Sequence, residues 1–165
     1  MDALRPALRD ATAADRAWLL EAVAALNDHE RALHDTRLPG AAMAAAYLAT
    51  IERATVDQDG SIVLAVADDG PVGFIACRVE RGDTPAETAD SNVFGYVSDA
   101  YVAPAARGRG VAGLLLAEAE RRLRALGVTR LRLGSLAANT AAIRAYRKAG
   151  FADYEVVLEK RVGGG

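Results

Sequence analysis

The stretch Arg107-Gly108-Arg109-Gly110-Val111-Ala112-Gly113 follows an apolar run, VFGYVSDAYV at 93–102, and leads into LLLAEAERRL at 114–123. That order reads as a buried strand, a short turn and a helix that opens on glycines. The first backbone N–H groups of a helix have no intrahelical partner and point outward. Glycines let an oxygen-rich group reach those donors with no side chain in the way. The expected ligand is a phosphate, and a pyrophosphate suits several donors at once. Arg107 and Arg109 add charge beside it.

Downstream, Val111, Leu114, Leu115, Leu116, Ala119 and Leu123 form the buried side of a helix running to about residue 126, with Gly127 as its C-cap. Residues 129–134 read as a strand, with Leu131 and Leu133 on one face and Arg130 and Arg132 on the other. Asn139 then caps a helix that turns Ala142, Ile143 and Tyr146 inward and Arg144, Arg147 and Lys148 outward. Gly150 ends it, and residues 151–160 read as a last strand. Upstream, residues 3–9 suggest a first strand. A helix follows, with Thr12 or Asp15 as cap and Trp18, Leu19, Ala22, Val23 and Leu26 as its apolar face. Leu38-Pro39-Gly40 breaks it, and a second helix carries Met43, Tyr47, Leu48 and Ile51. Acidic turns at 57–60 and 68–70 bracket a hairpin whose strands are 62–66 and 72–80. Residues 81–91 read as an exposed loop. The sum is an α/β (α+β) domain with a mixed, largely antiparallel sheet of about six or seven strands and about four helices. Strands 93–102 and 129–134 should run parallel, with the intervening helix as crossover.

The chain has 165 residues, 52% of them apolar and 25% charged, which fits one folded domain over 1–160 and a flexible tail, RVGGG, at 161–165. Twenty basic residues against 22 acidic give a net charge of -2, which argues against a strongly basic nucleic-acid binder. The single cysteine, Cys77, can form neither an internal disulfide nor a thiolate metal cluster, and its apolar strand VGFIACRV suggests packing. No apolar stretch approaches the roughly 20 residues that cross a bilayer. MDALRPALRD has no run like the core of a signal peptide. The expectation is a soluble, cytoplasmic protein with no nucleic-acid or membrane partner. His29-Glu30 with His34 is H-E-x-x-x-H, whose histidines lie about 140° apart on a helix and share no metal. A polar helix face or a lining on the substrate side is expected there, and no metal site. Trp18 and Phe94 read as core.

Charge is segregated. Residues 107–148 hold ten Arg or Lys and two acids, whereas 57–99 hold nine acids and two arginines. Opposite ends of one cleft with those signs would hold an anionic cofactor and a cationic substrate. Ordinary solvated helix faces account for many of the individual arginines.

Three uses of the glycine-rich turn compete. A P-loop needs Lys-Ser or Lys-Thr after its last glycine, and Leu114 stands there instead. Gly108, Gly110 and Gly113 match the dinucleotide spacing G-x-G-x-x-G. A nicotinamide site, however, wants an acid at the end of the next strand, and no Asp or Glu occurs between Glu120 and Asp153. Arginines would suit a phosphorylated dinucleotide, so an NADP-binding oxidoreductase domain is one alternative. The third use is carried by Arg107, Gly110 and Ala112, preceded by YVSDAYVAP at 96–104 and followed by NTAAIRAYRKAGF at 139–151. Those three ordered segments resemble the GCN5-related N-acetyltransferase (GNAT) superfamily. The resemblance is strong over 93–160. It is moderate over 3–80, where RPALRDATAAD and Gly73 match the usual opening.

The resemblance implies a sheet splayed into a V at the cofactor site, acetyl-coenzyme A as cosubstrate, and direct transfer of its acetyl group to a primary amine in a ternary complex. Carried over by position, it implies that Ala100, Tyr101 and Val102 lie along the pantetheine arm. Main-chain N–H groups of Gly108, Arg109, Gly110, Val111, Ala112 and Gly113, with Arg107, would hold the pyrophosphate. Asn139 would contact the pantetheine arm and Tyr146 the thioester sulfur. The chemistry needs the same parts: an N–H such as that of Ala100 for the developing oxyanion, and a proton donor such as Tyr146 for the departing thiolate. Plain packing is the other reading of Tyr146. Some relatives place a glutamate base on the central strand where this chain has Tyr96. Asp99 is the candidate base, and deprotonation relayed through solvent the alternative. Glu52, Glu80 and Tyr101 are candidate borders of the amine pocket. The acceptor is expected to be a cationic small molecule or peptide amine, and a homodimer is a side expectation. A non-catalytic acyl-coenzyme A sensor on the same fold is the alternative from another class.

Overall fold

A computed structural model describes residues 5–163. Five strands form one sheet in the order β1-β2-β3-β4-β5: Ala7–Asp10, Ser61–Ala67, Gly70–Arg81, Val93–Val102 and Leu131–Leu133. The three pairs among the first four strands are antiparallel, and only β4 and β5 are parallel. Helices α1 (Arg16–Leu33) and α2 (Gly40–Asp57) cover one face. The one-turn α3 (Ala89–Asn92) leads into β4. Helix α4 (Val111–Ala125) is the crossover on the other face, followed by α5 (Thr140–Lys148).

Two apolar layers hold the sheet between its helices. Val23, Leu48, Ile51, Leu64 and Phe74 pack on the α1–α2 side. Val63, Ile75, Val97, Leu115, Ala119 and Leu123 pack on the α4 side, where Tyr146 and Phe151 join them. The approach of α4 to β4 is set by Gly95, where a Cβ would lie 2.7 Å from Leu123 Cδ1. Thr12 and Asp15 do act at the start of α1. The Asp15 carboxylate accepts from Thr12 N at 2.8 Å and from both Arg9 guanidinium nitrogens at 2.7 and 2.8 Å. That pairing holds the Asp15 carboxyl well below the usual range.

The expected hairpin and parallel crossover are present, but the described residues form five strands where six or seven are expected, and the end of the expected loop 81–91 is the start of α3, with Ser91 buried. Residues 3 and 4 of the expected first strand lie outside the described residues, and the strand begins at Ala7. The expected last strand at 151–160 is absent: that segment has no regular secondary structure and joins no ladder. Its neighbour β5 has only three residues, too short an edge to template it. Phe94 is not core either, since it lies half-buried under Arg132, whose guanidinium is 4.1 Å from the ring centre. Cys77 is buried as expected, and burial raises its thiol pKa.

Candidate active site

The β4–β5 pairing stops at Val97 opposite Leu133, while β4 runs on to Val102 with only β3 beside it. The two strands therefore part where the sequence reading places the V. Ala103 N–H donates to Val72 O at 2.9 Å. By antiparallel alternation, the N–H and C=O of Ala100 and Val102 then turn away from β3, into the opening. The Val102 carbonyl is taken by Arg107 Nε at 3.0 Å, which leaves its N–H free of that contact.

A bulge sits just before this stretch. Val97 pairs with Cys77 and Asp99 with Ala76, so Ser98 is an extra residue in β4. Its effect is to put Asp99 on the same side as Tyr96, toward α2, while Ala100 stays on the α4 side. Asp99 is thus opposite Ala100 despite the bulge.

The opening widens into a cleft of about 1340 Å³ lined by β4, the N-terminus of α4, α5 and the α1–α2 corner. At its α4 end, Gly110 precedes the helix at φ 86° and Gly108 has φ 73°, both in the left-handed region. The first N–H of this helix with an intrahelical partner there is that of Leu114, on Gly110 O at 3.2 Å. No atom lies within 4 Å of a Cβ built at Gly108, Gly110 or Gly113. Donors, glycines and empty space form a cradle that any side chain would fill, which fits a pyrophosphate. Asn139 accepts from Ala142 N at 3.2 Å, capping α5 at the cleft wall.

The arginine cluster is mostly engaged elsewhere. Arg121 and Arg122 hold Glu118, and Arg122 also reaches Asp10. Arg130 holds Asp90, and Arg147 holds Asp153. Of the ten basic residues in 107–148, Arg107 and Lys148 line the cleft, and Arg109 does not.

Two ionisable side chains meet the opening from its two sides. Asp99 is 6% exposed, with Oδ1 accepting from the Tyr47 hydroxyl at 3.0 Å and Oδ2 without a partner among the described residues. Burial pushes its pKa up, against the opposing pull of Ser98 and Tyr47. Tyr47 is itself pushed above the ordinary phenol range, by burial first and then by the Asp99 charge. Tyr146 comes from the α4 side, edge-on to Phe151 at 6.3 Å. Its hydroxyl pKa is raised by burial, with the carboxylates of Glu30 and Asp99 adding to the shift.

The acceptor side differs from the sequence reading. Glu52 is bound to Arg16 and Glu80 to Arg78, and neither lines the cleft. The acidic run contributes Asp99 alone. Tyr101 and the α1 residues His29 and Glu30 do line it, and His34 does not. Tyr47 and Arg37, which holds Glu30 at 2.6 Å, line it too, and neither is among the site residues that the sequence reading names. In sequence Tyr47 looks like one more large residue on an alanine-rich helix. Among the described residues no group of His, Cys, Asp and Glu could hold a metal, and no helix is long and apolar enough to cross a membrane.

The sheet has one parallel pair, unlike the doubly wound parallel sheet of a dinucleotide domain. A comparison with curated proteins gives no match. Among solved structures, the fold is similar to a transcriptional regulator from Bacillus halodurans C-125, at 18% identity over 95% of this chain and 99% of that one, TM-score 0.73. It is also similar to an aminoglycoside antibiotic 6'-N-acetyltransferase from Acinetobacter haemolyticus, at 20% identity, 95% and 99% coverage and TM-score 0.68. A third is an aminoglycoside N-acetyltransferase in complex with coenzyme A, at 19% identity, 96% and 100% coverage and TM-score 0.64. The model of the acetyltransferase (GNAT) family matches residues 24–151, most of the chain, and the protein therefore belongs to that family.

Proposed function

We propose that the protein moves an acetyl group from acetyl-coenzyme A directly to a cationic primary amine. The observation that carries this is the meeting, in one cleft, of an open backbone edge, an unfilled helix-start cradle and an orphaned buried carboxylate oxygen. The similarity to an aminoglycoside N-acetyltransferase bound to coenzyme A supports the cofactor.

When bound, acetyl-coenzyme A supplies an acyl thioester, an electrophile ready for an amine. The N–H groups from Gly108 to Gly113 and Arg107 hold its pyrophosphate, and the free edge at Ala100 and Val102 its pantetheine arm. Asn139 lies along the same wall. The Ala100 N–H polarises the acyl oxygen. An ammonium cannot attack, so its proton must leave first. Asp99 Oδ2 is the unoccupied acceptor, and its raised pKa makes it a stronger base than an ordinary carboxylate. Tyr47 holds the other oxygen in place. Tyr146 keeps its proton through neutral pH and gives it to the departing sulfur. Base and acid stand on opposite faces of the opening, which suits entry of the amine on one side and departure of the thiolate on the other.

The acceptor's charge preference rests on Asp99 and Glu30 in the α1–α2 half of the cleft. An acetyl-transfer screen at pH 8, with acceptors grouped by charge and size and free thiol as readout, tests it. Cationic amines should turn over best. Carboxylates or neutral alcohols as the best acceptors would overturn the charge argument, and tighter binding of NADPH than of acetyl-coenzyme A would overturn the cofactor.

A further inference from the structure

The acceptor half of the cleft takes its shape from the turn between α1 and α2. Asn27 Nδ2 donates to Leu38 O at 2.6 Å, and Asp28 Oδ1 accepts from Gly40 N at 2.7 Å. Gly40 lies so close to the Ala24 carbonyl that no Cβ fits there. Those contacts fix the turn against α1 and hold Thr36, Arg37 and Leu38 at the cleft wall.

Charge on that wall is scarce and mostly cancelled. Glu30 Oε2 accepts from Arg37 Nε at 2.6 Å, so the two opposite charges offset each other inside the cleft. Asp99 has the Tyr47 hydroxyl on one oxygen and no partner on the other among the described residues. A third carboxylate of the lining, Glu120, belongs to α4 and has Arg124 at 3.7 Å. His29 and Thr36 add polar groups, but Leu26, Leu38 and Met43 lie on the same wall. Leu38 is 65% exposed and Tyr47 38%, apolar surface that the chain itself leaves uncovered at the cleft.

We propose that the acceptor is a monoamine on an apolar body, alkyl or aryl, and that the Glu30–Arg37 pair turns away a second positive charge. This rests on the reading of the protein as an acetyltransferase for cationic amines and names the kind of amine. One ammonium balances the Asp99 carboxylate, which takes its proton before attack. A second ammonium on the same molecule would leave water for a carboxylate that already has its cation. It would meet Arg37 as well as Glu30, so the pair returns little of the lost hydration. An apolar body meets Leu26, Leu38 and Met43 instead, and gains with each methylene it takes out of water. Glu30 nevertheless reaches the reacting groups: after burial, its charge is the next cause of the raised Tyr146 pKa. Without Arg37, that carboxylate would be free to hold a second ammonium.

Thiol release from acetyl-coenzyme A tests this, with alkyl monoamines set against α,ω-diamines of equal chain length and phenethylamine as the aryl arm. Wild-type kcat/KM should favour the monoamine of each pair by about tenfold or more, and should rise with chain length along the monoamines. Arg37→Gln should move the diamine-to-monoamine ratio about tenfold toward the diamine, and adding Glu30→Gln should move it back. Because a ratio is read, a general loss of activity in either variant cannot imitate the result. Met43→Gln keeps the side-chain length and leaves the pair intact, and it should flatten the rise with chain length. Diamines or aminoglycosides as the best wild-type acceptors would overturn the proposal and leave acetyl transfer to amines standing. A ratio indifferent to Arg37→Gln would overturn the role of the pair. Thiol release with no amine at all would overturn the acetyltransferase reading itself, and this inference with it.

Discussion

The two halves of the cleft are built from different materials. The cofactor half is mostly backbone: the free edge of β4, the first turn of α4 and glycines that leave them bare. Its parts lie within a short stretch of chain, so one local pattern encodes them. The acceptor half is side chains from separate elements: Glu30 on α1, Arg37 in the corner, Tyr47 on α2, Asp99 and Tyr101 on β4. Backbone donors keep their positions whatever the sequence around them, provided nothing covers them. Side chains brought together by tertiary packing can each be replaced without harm to the fold, which suits the part of the site that must distinguish acceptors. Damage to the first half should therefore appear in cofactor affinity, and damage to the second in turnover and its pH dependence.

The largest effect is expected at the cradle. Gly110→Val places a branched side chain at φ 86° over the helix start, and coenzyme A affinity should fall by about 100-fold. Backbone strain contributes there as well, so Gly113→Leu is the cleaner partner. Gly113 lies inside α4 at an ordinary φ with open space above it, and its replacement should weaken binding without lowering the melting temperature. Calorimetry with coenzyme A reads both. Unchanged affinity in Gly113→Leu would mean that the pyrophosphate sits elsewhere.

Next come the two side chains that flank the edge. Tyr146→Phe should lower kcat by more than about tenfold and leave coenzyme A affinity within a few-fold, because it removes a proton donor and keeps the packing against Phe151. Turnover equal to wild type, measured where chemistry is rate-limiting, would reduce Tyr146 to a packing residue. Asp99→Asn should cost about tenfold in kcat/KM. It should also change stability in the opposite sense. A carboxyl whose pKa is higher in the folded protein costs stability above its unfolded pKa, near 3.8, and the cost grows until pH passes the folded value. Asp99→Asn should thus melt at or above the wild-type temperature at pH 8, with the advantage fading toward pH 4. An advantage greatest at acid pH would contradict the raised pKa.

The same division explains what could be read in advance. The glycine-rich turn, the parallel crossover and Tyr146 in the last helix follow from spacing within single segments. The bulge at Ser98 has no marker: no glycine stands there, and the extra residue shows only against the partner strand. Glu52 and Glu80 read as free carboxylates in sequence because their ion partners, Arg16 and Arg78, are assigned by packing. The acidic run reads as one patch, yet Asp68 and Asp69 sit in the β2–β3 turn, which lies at the same end of the sheet as the opening but does not line the cleft. The strand expected at 151–160 is written in alternating residues, yet β5 beside the end of the sheet has only three residues and the segment joins no ladder.

The smallest effect is also the most specific to the acceptor half. The Tyr47 hydroxyl donates to Asp99 Oδ1 and so favours the carboxylate over the acid. Tyr47→Phe removes that donor and keeps the ring, which should raise the Asp99 pKa further. If Asp99 is the base, only its ionised form works, and the rising limb of kcat/KM against pH must move to higher pH. The loss should be greatest on the acid side of the limb and should be recovered on its alkaline plateau. The amine acceptor titrates too, but its pKa in solution is the same for both enzymes, so with one acceptor any displacement of the limb belongs to the protein. A limb that stays in place while activity falls at every pH would make Tyr47 a contact for the acceptor. It would leave the amine to lose its proton to solvent.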